Sequence, residues 1–154
     1  MTESDVSPPD IDAVHGRVAE RLRAVDQRYT SGRRRLVTLL TEARRPVTLP
    51  ELAALDPGLP QSSMYRNLDM LERTGLVERI NVGSDHARFE LAETILGHHH
   101  HLVCADCGRI VDVTLDDDIE TMLDEALAEV ASRAGFEAAG HRLDLHGRCA
   151  DCVD

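Results

Sequence analysis

Apolar residues recur every three to four positions through the first half of the chain, as they do along one face of an amphipathic helix. This spacing predicts four helices, over residues 11–25, 33–43, 48–55 and 61–74. The third helix begins with Thr48-Leu-Pro-Glu51, which has the form of a capping box with proline in the first turn. Gly75 suits the end of the fourth helix.

Two extended segments, 76–82 and 87–91, flank a Gly-Ser-Asp turn and predict a β-hairpin. A short helix, a tight turn and a second amphipathic helix form the pattern of a helix-turn-helix, and a hairpin directly after it indicates a winged helix. The second of these helices packs through one apolar face. Its opposite, polar face carries Ser62, Arg66, Asp69 and Arg73.

Beyond residue 97 the pattern changes to strand, helix and strand. Short apolar segments predict strands over 101–103 and 110–113, and a longer segment predicts a final strand over 136–146. Between them, apolar residues at helical spacing predict a helix over 116–134, whose first apolar residue, Ile119, is expected to face the core.

The patterns predict an α+β chain of two modules. A winged helix is expected over 1–85, with a disordered tail over 1–10, then a hinge over 86–89 and a small α/β domain over 90–154. Charge divides the chain in a similar way, since the first 80 residues carry 12 arginines and 12 acidic residues and the remainder carries 5 and 16. The whole net charge of -11 therefore belongs to the second half.

A basic segment over 28–45 stands out from this acidic background, with six arginines against a single acid, Glu42. Phosphate contacts require local positive charge, so the segment is either a DNA-facing surface or an ordinary solvated helix face.

The N-terminus lacks the basic start and apolar core of a secretion signal, and no apolar run approaches the roughly 20 residues that span a membrane. We therefore expect a cytoplasmic protein. In that compartment cysteines serve more often as metal ligands or redox groups than as structural disulfides.

All four cysteines lie in two Cys-x-x-Cys pairs, Cys104 with Cys107 and Cys149 with Cys152. Two intervening residues allow both thiolates of a pair to reach one tetrahedral ion, so the pairs predict a structural zinc site. Redox chemistry and free buried thiols remain alternatives. A redox pair normally lies at a helix N-terminus, whereas the first pair here lies between predicted strands.

Four consecutive histidines precede the first cysteine pair. Because side chains alternate along a strand, His98 and His100 should point one way and His99 and His101 the other, so one run can contribute to two metal sites. His141 should point inward from the last strand, as a ligand or as a hydrogen-bonded core residue. Glu120 is a further inward-facing candidate, whereas His15 and His86 are expected on the surface.

These segments, in this order, resemble the ferric uptake regulator family of bacterial metal-sensing repressors over about residues 20 to 152. The resemblance rests on the following sequences: SSMYRNLDMLERTGLVER, RFEL, HHHHLVCADCGRIVDV, DDDIE and GHRLDLHGRCADC. It implies an N-terminal winged helix and a C-terminal dimerisation domain, with metal sites between and within them.

The resemblance also implies roles for particular residues. The structural zinc ligands would be Cys104, Cys107, Cys149 and Cys152. The regulatory site would comprise Glu90, His99 and His101, and a second site His98, His100, Glu120 and His141. The DNA contacts would come from Arg28, Arg33, Ser62, Ser63, Tyr65 and Arg66.

Some positions depart from the family pattern. Pro46 occupies the neighbourhood of a histidine ligand used by many iron-type members, and no cysteine is left for the position near Ala92 used by actinobacterial zinc-type members. Glu78 supplies an acid that zinc-type members carry, so it is an additional candidate for the regulatory site. Nitrogen and oxygen donors accept several divalent metals, and we expect Zn²⁺ or Fe²⁺ there, with Mn²⁺ as a third candidate.

The expected function is therefore a homodimeric, metal-dependent repressor that binds double-stranded operator DNA and catalyses no reaction. Neither a membrane nor a small-molecule substrate is expected as a partner. Two other hypotheses are a zinc-dependent hydrolase built on the histidine run, and a zinc-ribbon interaction module that does not bind DNA.

Overall fold

The computed structural model describes residues 9–81 and 86–153. Its helices are α1 (Ile11–Ala24), α2 (Ser31–Ala43), α3 (Leu49–Leu55), α4 (Gln61–Arg73), α5 (Glu93–Leu96) and α6 (Asp117–Arg133). Its strands are β1 (Val47–Thr48), β2 (Val77–Ile80), β3 (Arg88–Leu91), β4 (His100–Cys104), β5 (Ile110–Val113) and β6 (Asp144–Gly147).

The first four helices and a three-stranded sheet, in the order β1-β3-β2, form a winged helix. Strands β2 and β3 pair antiparallel with Val77 opposite Leu91, as the predicted hairpin requires. The tip of that hairpin, residues 82–85, lies outside the described residues. One apolar core holds the unit together, and its fully buried members include Val14, Val18, Leu22, Leu36, Met64, Leu68 and Leu71.

Local capping fixes where two of these helices begin. Thr48 accepts a hydrogen bond from the backbone N–H of Glu51, and the Glu51 carboxylate accepts one from the N–H of Thr48, so the predicted capping box is confirmed. Asp10 caps α1 by accepting from the N–H groups of Asp12 and Ala13. The rest of the tail predicted over 1–10, up to residue 8, lies outside the described residues.

The connection between the two sheets lies later in the chain than the predicted hinge over 86–89. Strand β3 is the central strand of the winged-helix sheet, hydrogen-bonded on both edges, and it already begins at Arg88. Ile95 in α5 is buried in the winged-helix core as well. Because hydrogen bonding and burial hold these residues to the first unit, the chain passes to the second unit only after Leu96.

The second unit is built on a sheet with the order β5-β4-β6. Strand β4 pairs antiparallel with β5 and parallel with β6, with His101 opposite Asp144. The final strand predicted over 136–146 is wrong in its first part, since only Asp144–Gly147 is extended and paired. Strand β4 begins at His100, and the N–H of His101 donates to the carbonyl of Leu143, so pairing with β4 reaches back only to Leu143.

Helix α6 is amphipathic as predicted, but the residues that the structure describes do not cover its apolar face. None of its residues is buried, and Ile119, expected in the core, is 50% exposed. Met122, Leu127 and Val130 on the same helix are exposed too. The buried cluster that includes Val103 and Ile110 of the second unit is small and is completed by Ile80 of β2, so the described residues of the second unit form no separate core on which α6 could pack.

Among the described residues, no helix combines the length and the apolar character that crossing a membrane requires.

Candidate metal centres and nucleic-acid surface

The described residues bring three groups of potential metal ligands together. Within each group the candidate ligand atoms all lie within 4.8 Å of one another. The first group is Cys104, Cys107, Cys149 and Cys152; the second is Glu90, His99, His101 and Asp112; the third is His98, His100, Glu120 and His141. We call them the cysteine, hinge and inner clusters.

Strand pairing positions the cysteine cluster. Strand β4 ends at Cys104 and lies parallel to β6, so the two Cys-x-x-Cys segments leave the same edge of the sheet. The Sγ atoms of Cys107 and Cys149 are 3.7 Å apart, and the N–H of Cys149 donates to the Sγ of Cys104. Gly108 follows the first pair with φ of +71°, a turn conformation that glycine adopts without strain.

The four thiols are free rather than joined in disulfides, and their charges are interdependent. Hydrogen bonds from the backbone N–H groups of Cys107 and Cys149 lower the pKa of the Cys104 thiol to about 6. The pKa of Cys152 is raised, chiefly by its hydrogen bonds with the Cys149 and Cys107 thiols. A bound cation offsets the electrostatic repulsion between neighbouring thiolates. Four sulfur donors at this spacing therefore fit a tetrahedral zinc ion.

The hinge cluster joins three strands from both units. Glu90 lies on β3, His99 directly before β4, His101 on β4 and Asp112 on β5. The Glu90 carboxylate lies 3.4 Å from Nε2 of His99 and 3.1 Å from Nε2 of His101. Asp112 stands opposite His101 in the sheet, with its Oδ1 3.8 Å from Nε2 of His101.

Burial gives the hinge cluster its electrostatic character. Glu90 and His101 are 4% and 5% exposed. Burial, and then the charge of Glu90, raise the pKa of Asp112 to about 6. The hydrogen bond to Glu90 raises the pKa of His99 to about 9. The Oδ1 atom of Asp112 is buried without a hydrogen-bond partner. Because an unpaired buried carboxylate oxygen is unfavourable, this arrangement fits a divalent cation between the carboxylates and imidazoles.

Sequence reasoning missed Asp112 and included Glu78. The sequence feature that could have indicated Asp112 is the hairpin across the Cys-x-x-Cys turn, because its register places Asp112 beside His101. Glu78 lies opposite Glu90 in the wing sheet, yet its carboxylate pairs with Arg142 at 2.7 Å. The structure therefore places Asp112, and not Glu78, in the cluster.

The inner cluster is centred on the Glu120 carboxylate. One oxygen lies 2.9 Å from Nε2 of His100, and the other lies 3.0 Å from Nε2 of His98 and 3.1 Å from Nε2 of His141. Glu120 Oε1 and His141 Nε2 are buried without hydrogen bonds of acceptable geometry. Three imidazole nitrogens and a carboxylate converging on one point fit a divalent metal as well.

Carboxylates behind two of these histidines orient their rings. Nδ1 of His141 lies 2.9 Å from Asp124, and Nδ1 of His98 lies 3.2 Å from Glu93. Such partners fix which ring nitrogen is free to bind a metal. Since Glu93 belongs to α5, the inner cluster also touches the winged-helix unit.

The histidine run divides as strand alternation predicts. His98 and His100 lie together, with ring centroids 4.7 Å apart, and contribute to the inner cluster. The rings of His99 and His101 are 5.1 Å apart and belong to the hinge cluster.

The residues predicted to contact DNA occupy the outer face of α4 and the start of α2. Ser62, Tyr65 and Arg66 are exposed, and Ser63 is half-buried. Arg28 is also exposed. Arg33 is half-buried, and its guanidinium donates to the backbone carbonyl of Arg28, so it braces the segment that precedes α2.

His15 does not lie on the surface as expected; it is half-buried between Tyr29 and Thr38. The Thr38 hydroxyl donates to the carbonyl of Arg34, so it accepts from Nε2–H of His15. Burial raises the pKa of Tyr29 to about 12, and the protonated phenol donates to Nδ1 of His15. His15 thereby joins α1 to α2. His86 is exposed, as predicted.

Comparison with known proteins agrees with this fold. The model of the ferric uptake regulator family matches residues 24–146. The ferric uptake regulation protein of Bacillus subtilis (strain 168) is 31% identical over 143 residues, covering 88% of this chain and 92% of that protein. The peroxide operon regulator of the same strain is 28% identical over 137 residues, covering 86% and 89%.

A solved structure is similar as well. The ferric uptake regulator from Pseudomonas aeruginosa with manganese superposes with a TM-score of 0.65 at 30% identity, covering 85% of this chain and 96% of that one. The match over most of the chain, the winged helix and the three clusters lead to one conclusion: the chain belongs to the ferric uptake regulator family of metal-responsive transcriptional regulators.

Proposed function

We propose that this protein represses genes of metal uptake or homeostasis by binding operator DNA when a divalent metal occupies the hinge cluster. One observation carries the proposal: Glu90 comes from the winged-helix sheet, whereas His101 and Asp112 come from the second sheet. A ligand set shared in this way links the orientation of the DNA-binding unit to metal occupancy.

Metal would act by shifting the protein between two populations that differ in the arrangement of the two units. Metal bound by all four hinge residues favours the arrangement in which β3 lies against β4 and β5, because only that arrangement offers the whole set. Without the metal, the buried Glu90 carboxylate lies near the partly buried carboxylate of Asp112, and separation of the two units relieves their repulsion. DNA affinity then follows the fraction of protein in the closed arrangement.

The regulatory metal proposed for the hinge cluster is Zn²⁺ or Fe²⁺, with Mn²⁺ as a third candidate. Two imidazoles and two carboxylates accept all three ions. The relatives differ in what their names record, ferric uptake in one and a peroxide operon in another, and the similar Pseudomonas structure contains manganese.

The cysteine cluster is proposed to bind a structural Zn²⁺. Its ligands connect the end of β4 with the segment after β6, and metal bound there stabilises the folded second unit. The inner cluster is proposed as a second site, which ties α6 through Glu120 to the start of β4.

We propose that the exposed face of α6 is the homodimer interface. Met122 and Val130 are 68% and 54% exposed, and Leu145 on β6 is 62% exposed. Apolar side chains exposed along one helix and on an edge strand indicate surfaces that are buried on association. Regulators of this family are dimeric and bind operator DNA, and two winged helices so joined would read successive half-sites.

The proposed DNA surface is the outer face of α4, where Ser62, Ser63, Tyr65 and Arg66 lie, with Arg28 and Arg33 near the start of α2. Exposed arginine and hydroxyl side chains at the start of a recognition helix supply phosphate and base contacts. Because its target is operator DNA, the repressor is proposed to act in the cytoplasm.

The two other hypotheses are less well supported. A catalytic zinc keeps an open position for water and has a general base beside it, whereas this family consists of transcriptional regulators rather than enzymes. A zinc-ribbon module without DNA binding does not account for the winged helix.

The decisive experiment measures operator affinity while buffered Zn²⁺, Fe²⁺ or Mn²⁺ is titrated, with parallel metal analysis. At least one ion should raise the affinity for native protein, and His101→Ala should abolish the increase. His86→Ala, at an exposed histidine outside the three clusters, is the matched control. A metal-independent affinity for native protein would show that the hinge cluster is not regulatory.

A further inference from the structure

The turn between α3 and α4 is joined to α2 by one ion pair. Nε of Arg35, on α2, donates to Oδ2 of Asp56 at 2.7 Å, and Nη2 of Arg35 donates to Oδ1 of the same carboxylate. Paired hydrogen bonds of this kind fix the angle between a guanidinium and a carboxylate as well as their distance. The pair therefore holds the turn at a defined position relative to α2.

Asp56 also shapes the turn itself. It directly follows the last residue of α3, and its Oδ1 accepts from the N–H of Gly58 at 3.2 Å. Its backbone carbonyl accepts from the N–H of Leu59 at 3.1 Å. A Cβ at Gly58 would lie 3.1 Å from Nη2 of Arg35, so the absence of a side chain lets the turn pass close to the guanidinium. One carboxylate thus folds the turn and joins it to α2.

The position of the first residues of α4 depends on this turn. The N-cap of α4 is Pro60, which supplies no side-chain hydrogen bond to the first turn of the helix. The carbonyl of Pro60 instead accepts from the N–H groups of Ser63 and Met64, so the helix continues directly from the backbone of the turn. The proposed DNA contacts begin at Ser62, the second residue of α4. A displacement of the turn would therefore displace them as well.

A second contact on α2 fixes its distance from α4. Gly32 precedes Arg35 by three positions, which places both residues on one side of α2. A Cβ at Gly32 would lie 3.2 Å from Nδ2 of Asn67 on α4 and 3.7 Å from Cδ1 of Leu59 in the turn. The two helices are therefore close together at Gly32, and the ion pair at Arg35 holds the segment that leads into α4.

We propose that Arg35 and Asp56 are positioning residues that hold the start of α4 in the orientation required for DNA binding. The inference rests on the DNA surface proposed above and adds two residues that are not part of it. A surface that is already ordered in the free protein loses less conformational entropy on binding, so the pair should raise DNA affinity. A partly exposed ion pair contributes little to the stability of the fold, so DNA affinity is where its loss should be measurable.

The probe is the DNA duplex that native protein selects from a random-sequence library in buffered Zn²⁺, Fe²⁺ or Mn²⁺. Affinity for this duplex is measured at saturating metal for native protein and for each variant. Melting temperature and zinc content are measured in parallel, and all titrations are carried out well below the lowest melting temperature. A loss of affinity then reports the DNA surface rather than unfolding.

Asp56→Asn separates positioning from general electrostatics, because the two predict opposite signs. Removing a negative charge from a DNA-binding unit by itself strengthens attraction to phosphates. Loss of the paired, charge-assisted bonds with Arg35 should instead weaken binding, and we expect a fall of at least about fivefold. Glu20→Gln, at an exposed acid on α1, removes the same charge and should stay within about twofold of native affinity. Native or tighter binding by Asp56→Asn would overturn the proposal.

Variants of Arg35 distinguish positioning from a direct phosphate contact. Arg35→Lys keeps the positive charge, but an ammonium group lacks the planar fork that forms both bonds, so binding should remain at least about threefold weaker than native. Native affinity of Arg35→Lys would show that charge alone suffices and would contradict positioning.

A double-mutant cycle tests whether the two residues act as a pair. Arg35→Ala combined with Asp56→Asn should bind no more weakly than the weaker single variant, because both changes remove the same interaction. Fully additive losses would overturn the pairing. Failure of native protein to select any duplex would instead count against DNA binding itself, so the two proposals can fail separately.

Discussion

Glu78 and Arg142 form an ion pair of 2.7 Å that joins strand β2 of the wing to the segment before β6. Glu78 is opposite Glu90 in the sheet, yet it does not belong to the hinge cluster. A contact between the two units thus replaces a possible metal ligand, and Asp112 supplies the fourth donor of the hinge cluster.

The first prediction follows from the presence of Asp112, rather than Glu78, in the hinge cluster. Asp112→Asn should lower the affinity of the hinge cluster for its metal by at least about tenfold, because it removes a partly buried negative donor. Glu78→Gln should change the affinity less than about threefold, since it alters a partly exposed ion pair. Competition titration against a metal indicator measures both constants. A larger loss in Glu78→Gln than in Asp112→Asn would return Glu78 to the ligand set.

The second prediction concerns the two faces of the histidine run. His99→Ala and His101→Ala remove hinge ligands, so metal should no longer raise DNA affinity while the dimer persists. His98→Ala and His100→Ala affect the inner cluster and should mainly lower thermal stability or shift the metal response, which reaches α5 through Glu93. Metal-dependent DNA affinity and melting temperature of all four variants provide the comparison. Equal effects of all four substitutions would contradict the assignment of the histidine run to two separate metal sites.

The third prediction concerns the cysteine cluster. Cys104→Ser or Cys149→Ser should release the zinc and lower the melting temperature by at least about 5 °C, because the metal connects the end of β4 with the last segment. Loss of dimerisation should follow, since β6 and α6 carry the proposed interface. Ser132→Ala, an exposed position at the end of α6, is the control. One retained zinc per chain with unchanged melting would rule out this role.

The fourth prediction concerns DNA contact. Arg66→Ala should weaken operator binding by about 1–3 kcal/mol if the side chain reads a base, or weaken all sequences alike with a shallower salt slope if it holds a phosphate. Arg21→Ala, at an exposed arginine on α1 outside the proposed DNA surface and the proposed dimer interface, should leave affinity unchanged. Equilibrium binding across a series of salt concentrations distinguishes these outcomes, and native affinity at every salt concentration would remove Arg66 from the interface.

The fifth prediction concerns pH. Burial, and then the charge of Arg34, lower the pKa of His15, so the folded state binds a proton at this residue less readily than the unfolded state does. The stability contributed by neutral His15 is present above the unfolded pKa and is lost as the pH falls below it. Between about pH 7.5 and pH 5.5, His15→Gln should therefore lose less stability than native protein. Denaturant titrations across this pH range measure both slopes, and parallel slopes for native protein and His15→Gln would contradict the assignment.

Local patterns determined the elements and the principal chemistry. Helical spacing, the Thr48 capping box and the two cysteine pairs depend on neighbours within a few residues, so the sequence alone predicts them. The division of the histidine run is local in the same sense, because alternation along a strand needs no knowledge of the rest of the fold.

Long-range contacts decided what local patterns could not. Strand register brings Asp112 into the hinge cluster. Glu78 pairs with Arg142 and does not belong to the cluster. The connection between the two units lies after Leu96, because β3 is the central strand of the first sheet. The spacing of apolar residues shows that Ile119 lies on an apolar face, but not whether the chain itself covers that face. The physical reason is that register, ion pairing and burial depend on which distant segments pack together, and these are properties of the tertiary structure rather than of any one segment.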